Sequence, residues 1–387
     1  MMKNLLLFTC FAALVCLYAC KKDDNTTSLS TTVGDLPKAL SSIKAPADNP
    51  LTTAKINLGR FLFWDPILSG NKDVACVTCH HPNFGYAENL DISIGSNGAG
   101  LGNLRHFLSP NTIAFVKRNS HSVLNTAFNG MDENGFYDPS NAPMFWDKRK
   151  KSLELQSLEP IKSLEEMRGR NFTDSTALDS VVARIKNIAQ YRQLFALAFG
   201  SELTVNAENI GKAIASFERT LTASNSPFDR YKNGETTAMT TTQINGMQAF
   251  KNAGCDNCHK GAMFSDYELH VLSVPDNSKL TATDNGANST YAFRTPSLRN
   301  LTFTAPYMHS GRFTSLDQVV DFYDDIADGR SQNSNVRTSQ IDPKIRQLRV
   351  QNRQQIVEFL KALSDGNYDK TIPTSVPSQL SVGGNIK

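Results

Sequence analysis

The sequence predicts an all-α chain in which two units of the same design follow one another. Apolar residues recur at intervals of three and four, as in Leu178, Val182 and Ile185, and this is the spacing of an amphipathic helix. A five-residue motif occurs twice, as CVTCH at residues 76–80 and as CDNCH at residues 255–259. No longer repeat accompanies it, so the duplication is one of motif rather than of sequence.

The repeated motif has the pattern C-x-x-C-H, which attaches a c-type haem. Its two thiols add to the vinyl groups of the porphyrin, and the imidazole that follows binds the iron. A redox-active dithiol needs no histidine after its second cysteine, and a four-cysteine zinc site would have to join two pairs far apart in the chain. Such haems form most of the core of small cytochrome c folds, so the predicted architecture is two cytochrome c-like domains, each wrapped on one haem. The residues predicted to hold the two haems are Cys76, Cys79 and His80, and Cys255, Cys258 and His259.

The start of the chain predicts a lipoprotein signal peptide over residues 1–19. Lys3 supplies a positive charge, and residues 5–17 form an apolar run that is too short to span a bilayer. Cys20 follows a small residue, as in the lipobox of bacterial lipoproteins, and is expected to carry the lipid. An ordinary secretory signal followed by an unrelated cysteine is the alternative. The polar residues 20–35 predict a flexible tether, so the protein is expected on the periplasmic side or at the cell surface, anchored to the membrane.

The cysteine count agrees with this assignment and leaves no disulfide. Of seven cysteines, Cys10 and Cys16 lie in the signal, Cys20 is lipidated and the other four attach haem. Covalent haem then replaces the disulfides that exported proteins otherwise use. The formal net charge is only +3, without a long basic run, and this argues against nucleic acid as a partner.

Four helices are predicted in the second half of the chain. The apolar spacing predicts one helix from Leu178 to near Gly200 and another after Asn206, a candidate N-cap. Residues 239–250 are expected to form the helix that leads into the second motif. Residues 354–363 are expected to form a C-terminal helix that packs over it.

The predicted domains are residues 36–200 and residues 201–370. Residues 36–103 have the short helical pieces and turns of a chain wrapped on a cofactor. Residues after Asp365 are expected to form a loose tail.

Stretches outside the two motifs point to a known family. They include LGRFLFWDPILS ahead of the first motif, RNSHSVLNTAFN, IGKAIASFERTLTASNSPFDRY and FRTPSLRNLTFTAPYMHSGRFTSLDQVVDFY. From about residue 55 to residue 325, the sequence resembles the bacterial dihaem cytochrome c peroxidases, including their MauG-like branch. The resemblance implies that the first haem reacts with peroxide and that the second relays electrons to it.

The resemblance also bears on the coordination of the first iron. Several peroxidases of the family place a histidine in the loop after the SIG stretch, where it caps this iron until the second haem is reduced. Here the position is Ser96, a poor ligand of ferric iron, so we expect the first haem to be five-coordinate and open at rest. His106 and His81 are the nearby histidines that could replace it, although His81 adjoins the proximal ligand.

Three residues at ten-residue intervals resemble the distal machinery of the family. The resemblance implies that Trp146 carries electrons between the porphyrins, that Glu166 moves a proton between the oxygens of peroxide, and that Gln156 orders water beside it. From the residues alone, Glu166 and its neighbour Glu165 would be a solvated acidic pair and Gln156 a surface residue. The other tryptophan, Trp64, has only a core interpretation.

The sixth ligand of the second iron distinguishes two branches of the family. In the peroxidases a methionine follows the histidine of the PYMHSG stretch by fourteen residues, and Tyr323 stands fourteen residues after His309. Tyrosine at this position is similar to the MauG-like branch, and an anionic phenolate lowers the potential of a haem. A core tyrosine on an amphipathic helix fits the same pattern, and Met308 and Met263 are also within sequence reach of this haem.

The resemblance further implies a calcium ion between the domains. Asn119 would bind it through its side chain, and Thr304 and Pro306 through their backbone carbonyls. His121 stands where the family usually has proline, and this could disturb the loop that carries Asn119.

Together these features predict a dihaem peroxidase that reduces hydrogen peroxide with electrons from a small redox protein, such as a cytochrome c or a cupredoxin. A MauG-like oxidase, which uses peroxide to oxidise a protein or a small molecule, is one alternative. A dihaem electron carrier without turnover is the other. Ser96 and Glu166 favour an enzyme, because a carrier needs neither an open iron nor a distal acid.

Overall fold

The computed structural model describes residues 40 and 42–387, which belong to one compact unit. The predicted signal peptide, Cys20 and the tether lie outside the described residues. Helices dominate this part of the chain, as predicted. In chain order they are α1 (Thr53–Trp64), α2 (Cys76–Cys79), α3 (Leu153–Gln156), α4 (Glu159–Lys162), α5 (Ala177–Lys186), α6 (Ala189–Phe199), α7 (Ala207–Glu218), α8 (Pro227–Lys232), α9 (Thr241–Asn252), α10 (Leu316–Ala327) and α11 (Arg353–Ala362).

Side-chain caps fix where several helices begin. Asn206 accepts a hydrogen bond from the backbone N–H of Asn209, which confirms the predicted N-cap of α7. Thr240 and Gln243 form a reciprocal capping box at the start of α9, the helix predicted ahead of the second motif. The single long helix predicted before α7 is instead two helices, α5 and α6, because Ile188 adopts an extended backbone between them.

Strands contribute little to the described part of the chain. β1 (Gly98–Ala99) pairs with β2 (His106–Phe107), and β3 (Leu269–Val271) pairs with β4 (Ala292–Arg294), both antiparallel. Each pair ties together a loop that follows one of the motifs, so the strands order loops within a helical fold. No described helix combines the length and the apolar character needed to cross a bilayer.

Each motif is preceded by a helix that crosses another helix at a glycine. A Cβ added at Gly59 in α1 would stand 1.9 Å from the carbonyl oxygen of Ala213 in α7. A Cβ added at Gly246 in α9 would stand 1.8 Å from the carbonyl oxygen of Gln355 in α11. Both distances are far below van der Waals contact, so only glycine lets these backbones approach so closely. The two crossings are the clearest structural counterpart of the repeated motif.

The largest apolar core lies around α1. Trp64 is fully buried in it, which confirms the core interpretation of this residue. Ile210, Ile214 and Phe217 of α7 pack into the same core. The predicted boundary after residue 200 places α7 in the second domain, although its apolar face lies against the helix of the first motif. The partition into two haem-binding domains stays a prediction.

The residues after Asp365 pack against the first motif, so the expectation of a loose tail was wrong. Val376 is buried in the core around α1. The backbone N–H of Gly383 donates to the carbonyl of Trp64 at 2.8 Å. The carbonyl of Gly383 accepts from the hydroxyl of Thr78, inside the first motif, at 3.3 Å. Backbone hydrogen bonds hold this segment, and they leave no periodic pattern in the sequence.

Candidate active site

Both motifs open onto one cavity of about 710 Å³. His80 and His259 line it, together with the four cysteines of the motifs. The structure therefore gathers around one space residues that lie far apart in the sequence. The other predicted site residues that line this cavity are Trp146, Gln156, Glu166, Tyr323, Asn119, Thr304 and Pro306.

The imidazole of His80 is oriented by hydrogen bonds to its Nδ1. This nitrogen lies 3.2 Å from the carbonyl oxygen of Tyr86 and 3.3 Å from the hydroxyl oxygen of Ser120, which itself donates to the carbonyl of Cys79. A carbonyl oxygen can only accept, so Nδ1 carries the proton and Nε2 keeps its lone pair. Burial lowers the pKa of His80. The ring is therefore held in the neutral form that binds iron.

The second motif repeats this arrangement. Nδ1 of His259 lies 2.9 Å from the carbonyl oxygen of Phe264, and burial lowers the pKa of His259 as well. Both carbonyls belong to aromatic residues in the left-handed backbone region, with φ of 55° at Tyr86 and 52° at Phe264. These two acceptors were not predicted from the sequence, because both are backbone carbonyls and the aromatic residues that carry them stand at different distances from the two histidines.

The thiols of the motifs fit covalent attachment of haem. All four are free in the described chain and sit partly buried at the wall of the cavity. Burial raises the pKa of the Cys76 and Cys79 thiols and raises that of Cys255 to about 12. Thiols without a disulfide partner, each pair followed by an oriented imidazole, are the donor set that a c-type haem requires.

Glu166 lies in a π-helical turn, Leu164–Arg168, and its side chain lines the cavity. Turns of this kind widen the helix and are frequent at functional sites. Burial raises the pKa of the Glu166 carboxyl to about 7; the charge of Glu165 adds to the rise and that of Arg149 opposes it. Gln156, the last residue of α3, lines the same cavity. Both residues are therefore placed at the cavity wall rather than on a solvated surface.

Ser96 supports Glu166 through the backbone. Its N–H donates to the carbonyl of Glu165 at 3.1 Å, and its hydroxyl lies 3.4 Å from the carbonyl oxygen of Glu166. Next to it, a Cβ at Gly95 would come within 2.3 Å of the carbonyl oxygens of both glutamates. Glycine at residue 95 thus allows the loop to lie directly against the turn that carries Glu166.

Neither of the histidines considered as substitutes for Ser96 lines the cavity in the described chain. His106 is exposed, and its Nδ1 lies 3.1 Å from the carbonyl of Leu104. His81 is buried beside Trp64 and accepts a hydrogen bond from the backbone N–H of Asn83. Ser96 itself is fully buried against the turn of Glu166. None of the three is therefore positioned in this conformation to occupy the distal side of the first iron.

Trp146 is held from several directions at the cavity wall. Its indole Nε1–H donates to the carbonyl of Asn119 at 3.0 Å. The ring of His121 stacks on it with centroids 4.0 Å apart, and the ring of His309 meets it edge-on at 6.2 Å. Burial, and then the charge of Arg294, hold the pKa of His121 well below its ordinary value. From the sequence, His121 stood out only as a departure from the family pattern, and its contact with Trp146 was not predicted.

Tyr323 lies on α10 and lines the cavity near the second motif. Burial raises the pKa of its phenol, and the Cys258 and Cys255 thiols add to this rise. Met308 and Met263 line the same cavity. The structure therefore brings all three candidate sixth ligands of the second iron to the cavity. They differ in their donor atoms, which are an oxygen in Tyr323 and a thioether sulfur in Met308 and Met263.

The three residues implied for calcium also meet at the cavity. The amide Nδ2 of Asn119 donates to the carbonyls of Leu90 and Asp91 at 2.9 and 3.1 Å, which leaves its Oδ1 to act as an acceptor. Thr304 and Pro306 line the same cavity. Three oxygen donors completed by water suit calcium.

Comparison with known proteins supplies the family. The family model for di-haem cytochrome c peroxidase matches residues 53–237. The methylamine utilization protein MauG of Methylorubrum extorquens is 32% identical over 337 residues, which cover 86% of this chain and 84% of that protein. The chain belongs to the di-haem cytochrome c peroxidase family. Its cofactors are accordingly two haems, and it is an oxidoreductase.

Other relatives of this peroxidase family span a similar share of the chain. Cytochrome-c peroxidase IdrP1 of Pseudomonas sp. (strain SCT) is 33% identical over 361 residues, covering 84% of this chain and 84% of that protein. The crystal structure of a MauG-like protein associated with microbial copper homeostasis matches with a TM-score of 0.67 and 26% identity, over 86% of this chain and 95% of that one. The diheme peroxidase BthA of Burkholderia thailandensis shares the fold, with a TM-score of 0.64 at 20% identity over 88% of this chain and 96% of that one.

Proposed function

We propose that this member of the family reduces hydrogen peroxide at the first haem, consuming two electrons and two protons and releasing two molecules of water. The observation that carries the proposal is the placement of Glu166. Glu166 lines the same cavity as His80, and its pKa of about 7 lets one group accept and return a proton near neutral pH.

The residues of the chain move the proton. Glu166, as a carboxylate, would accept a proton from one oxygen of the peroxide and return it to the other, so that the O–O bond would break heterolytically. The amide of Gln156 hydrogen-bonds the peroxide and the water released from it. When bound, the first haem supplies the iron that takes the peroxide and the electrons that complete its reduction.

His80 and His259 would hold the two haem irons from the proximal side, and Trp146 would relay electrons between the two haems. Its position supports this role, because Trp146 lines the cavity onto which both motifs open and its indole is fixed by the hydrogen bond to Asn119. The calcium site formed by Asn119, Thr304 and Pro306 would stiffen the same loop.

A second candidate function rests on Tyr323. A phenolate ligand on the second iron lowers its potential, so this haem would store oxidising equivalents rather than pass on electrons from a donor of high potential. The protein would then act as a MauG-like oxidase, in which peroxide is the oxidant and a protein or small molecule is oxidised. The methionines Met308 and Met263 would instead favour the peroxidase.

The third candidate, a dihaem electron carrier, has less support. A carrier needs both irons closed, whereas Ser96 faces the backbone of Glu166 and leaves the distal side of the first site without a histidine from its loop. We place the protein outside the cytoplasm, anchored by lipid on Cys20. A small cytochrome c or a cupredoxin is its electron donor in the peroxidase function.

Low-temperature EPR of the fully ferric holoprotein tests the proposal directly. We expect one high-spin signal from an open first haem and one low-spin signal from the second. Two low-spin signals would overturn the open site and support the carrier. Consumption of peroxide with a reduced small cytochrome as donor then separates the peroxidase from the oxidase, which would show little turnover with that donor.

A further inference from the structure

The loop that contains Asn119, Ser120 and His121 contacts both Trp146 and His80, which lie on the proposed electron route. The carbonyl of Asn119 accepts from Nε1–H of Trp146 at 3.0 Å. The hydroxyl of Ser120 donates to the carbonyl of Cys79 and lies 3.3 Å from Nδ1 of His80. Consecutive residues of one loop therefore contact the relay tryptophan and the proximal ligand of the first iron.

His121, the third residue of this loop, makes the closest ring contact of Trp146 in the described chain. The imidazole of His121 stacks on the indole of Trp146 with centroids 4.0 Å apart and planes at 27°. His309 touches the same indole only by an edge, at 6.2 Å and 72°. One face of the indole is thus covered by His121, and this stack restrains the plane of the ring together with the hydrogen bond from its Nε1–H to Asn119.

The position of the half-buried His121 is difficult to explain as packing alone. Its Nε2 is buried and has no hydrogen-bond partner in the described chain, and an orphaned polar atom of this kind destabilises the fold. A side chain chosen only to fill space would be apolar. The loop is also already fixed at the two residues that precede His121, since the backbone N–H of Asn119 donates to the carbonyl of His309 at 2.7 Å and Ser120 bonds to Cys79.

We propose that His121 is a positioning residue for electron transfer between the haems, which holds the plane of Trp146 by stacking and extends its π surface toward the first motif. The inference rests on the relay role of Trp146 in the proposed function. Offset stacks of this kind stabilise one ring orientation. This role requires a planar ring at residue 121, but it does not require a nitrogen atom in that ring.

A pair of substitutions of similar volume tests this requirement. His121→Phe keeps a planar ring on the indole, whereas His121→Leu fills the space without one. We expect electron exchange between the haems, followed after flash photoreduction of the ferric holoprotein, to slow about tenfold in His121→Leu and to keep its rate in His121→Phe. The potentials and EPR signals of both haems should stay unchanged in both variants, because neither substitution touches an iron ligand.

The outcomes separate this inference from the function on which it rests. Equal rates in His121→Phe and His121→Leu would overturn it, since a residue needed only for packing does not distinguish a ring from a branched chain. Trp146→Phe belongs in the same series. If it leaves the exchange rate unchanged, the relay role fails; if it slows exchange while His121→Leu does not, only the role of His121 fails. His106→Leu, at an exposed histidine remote from the relay, is the control and should exchange at the normal rate.

Discussion

Gly59 of α1 lies against the backbone of Ala213 in α7 so closely that a methyl group on it would stand 1.9 Å from the carbonyl oxygen. The helix that leads to the first motif is therefore positioned by direct backbone contact. Gly246 and Gln355 make the corresponding contact ahead of the second motif. The two haem regions thus depend on glycines that carry no chemistry.

Gly59→Ala should destabilise the protein by about 1–3 kcal/mol, because the added methyl group forces the helices apart. Thermal unfolding of the holoprotein measures this as a lower melting temperature. Gly366→Ala is the matched control, since a Cβ there meets only Phe303, at 3.7 Å. Equal melting temperatures for the two variants would show that the crossing of α1 and α7 accommodates the added methyl group without a loss of stability.

Protonation of Glu166 should slow the peroxidase reaction on the acid side of its pH–rate profile, which is called the acid limb here. The carboxylate is the active form, so kcat/KM for peroxide should rise with pH to a midpoint of about 7. Glu166→Gln should remove this limb and lower turnover by a factor of about 10²–10⁴ while both haems remain bound. Glu165→Gln removes a charge that raises the pKa of Glu166, so it should keep turnover and move the midpoint to lower pH. Unchanged turnover in Glu166→Gln would remove this residue from the mechanism.

Tyr323→Met should raise the potential of the second haem, because a neutral thioether stabilises the ferric state less than a phenolate does. Spectroelectrochemical titration of the holoprotein follows the two haems separately. Met308→Leu is the control and should leave the potential in place. A shift in Met308→Leu without one in Tyr323→Met would identify the methionine as the ligand.

The buried pair between Arg299 and Asp229 should be the most costly ion pair to break. Both guanidinium contacts are 2.9 Å, and the two side chains are 1% and 0% exposed. Arg299→Leu leaves the carboxylate buried without its partner, which should cost about 3–5 kcal/mol in the free energy of unfolding. Arg330→Leu, at a pair that is 60% and 66% exposed, should cost about 1 kcal/mol or less. Urea unfolding of the two variants compares these values, and similar losses would contradict the assignment.

The sequence predicted the parts of the fold and site that depend on local chemistry. C-x-x-C-H motifs, the N-cap at Asn206 and the helix before the second motif each require particular residues at fixed short spacing. The family resemblance added Trp146, Gln156 and Glu166, and all three line one cavity. Their roles stay predictions.

What the sequence did not reveal depends on contacts between distant segments. The acceptors of the proximal histidines are backbone carbonyls of Tyr86 and Phe264, and a carbonyl has no signature in the side-chain sequence. The stack of His121 on Trp146 joins two loops that share no periodic pattern. The pairing of Gly59 with Ala213 likewise depends on how two helices cross.

The return of residues 376–386 to the first motif sets an order for maturation. Gly383 accepts from Thr78 within that motif, and the N–H of Asn385 donates to the carbonyl of Asp73 at 2.9 Å. The helices around the second motif are complete by Ala362. The segment that braces the first motif is therefore synthesised after the helices around the second motif, so the motif made earliest is the last to gain all of its contacts. A protein cut after residue 370 would lose these contacts of the first motif and keep the helices around the second.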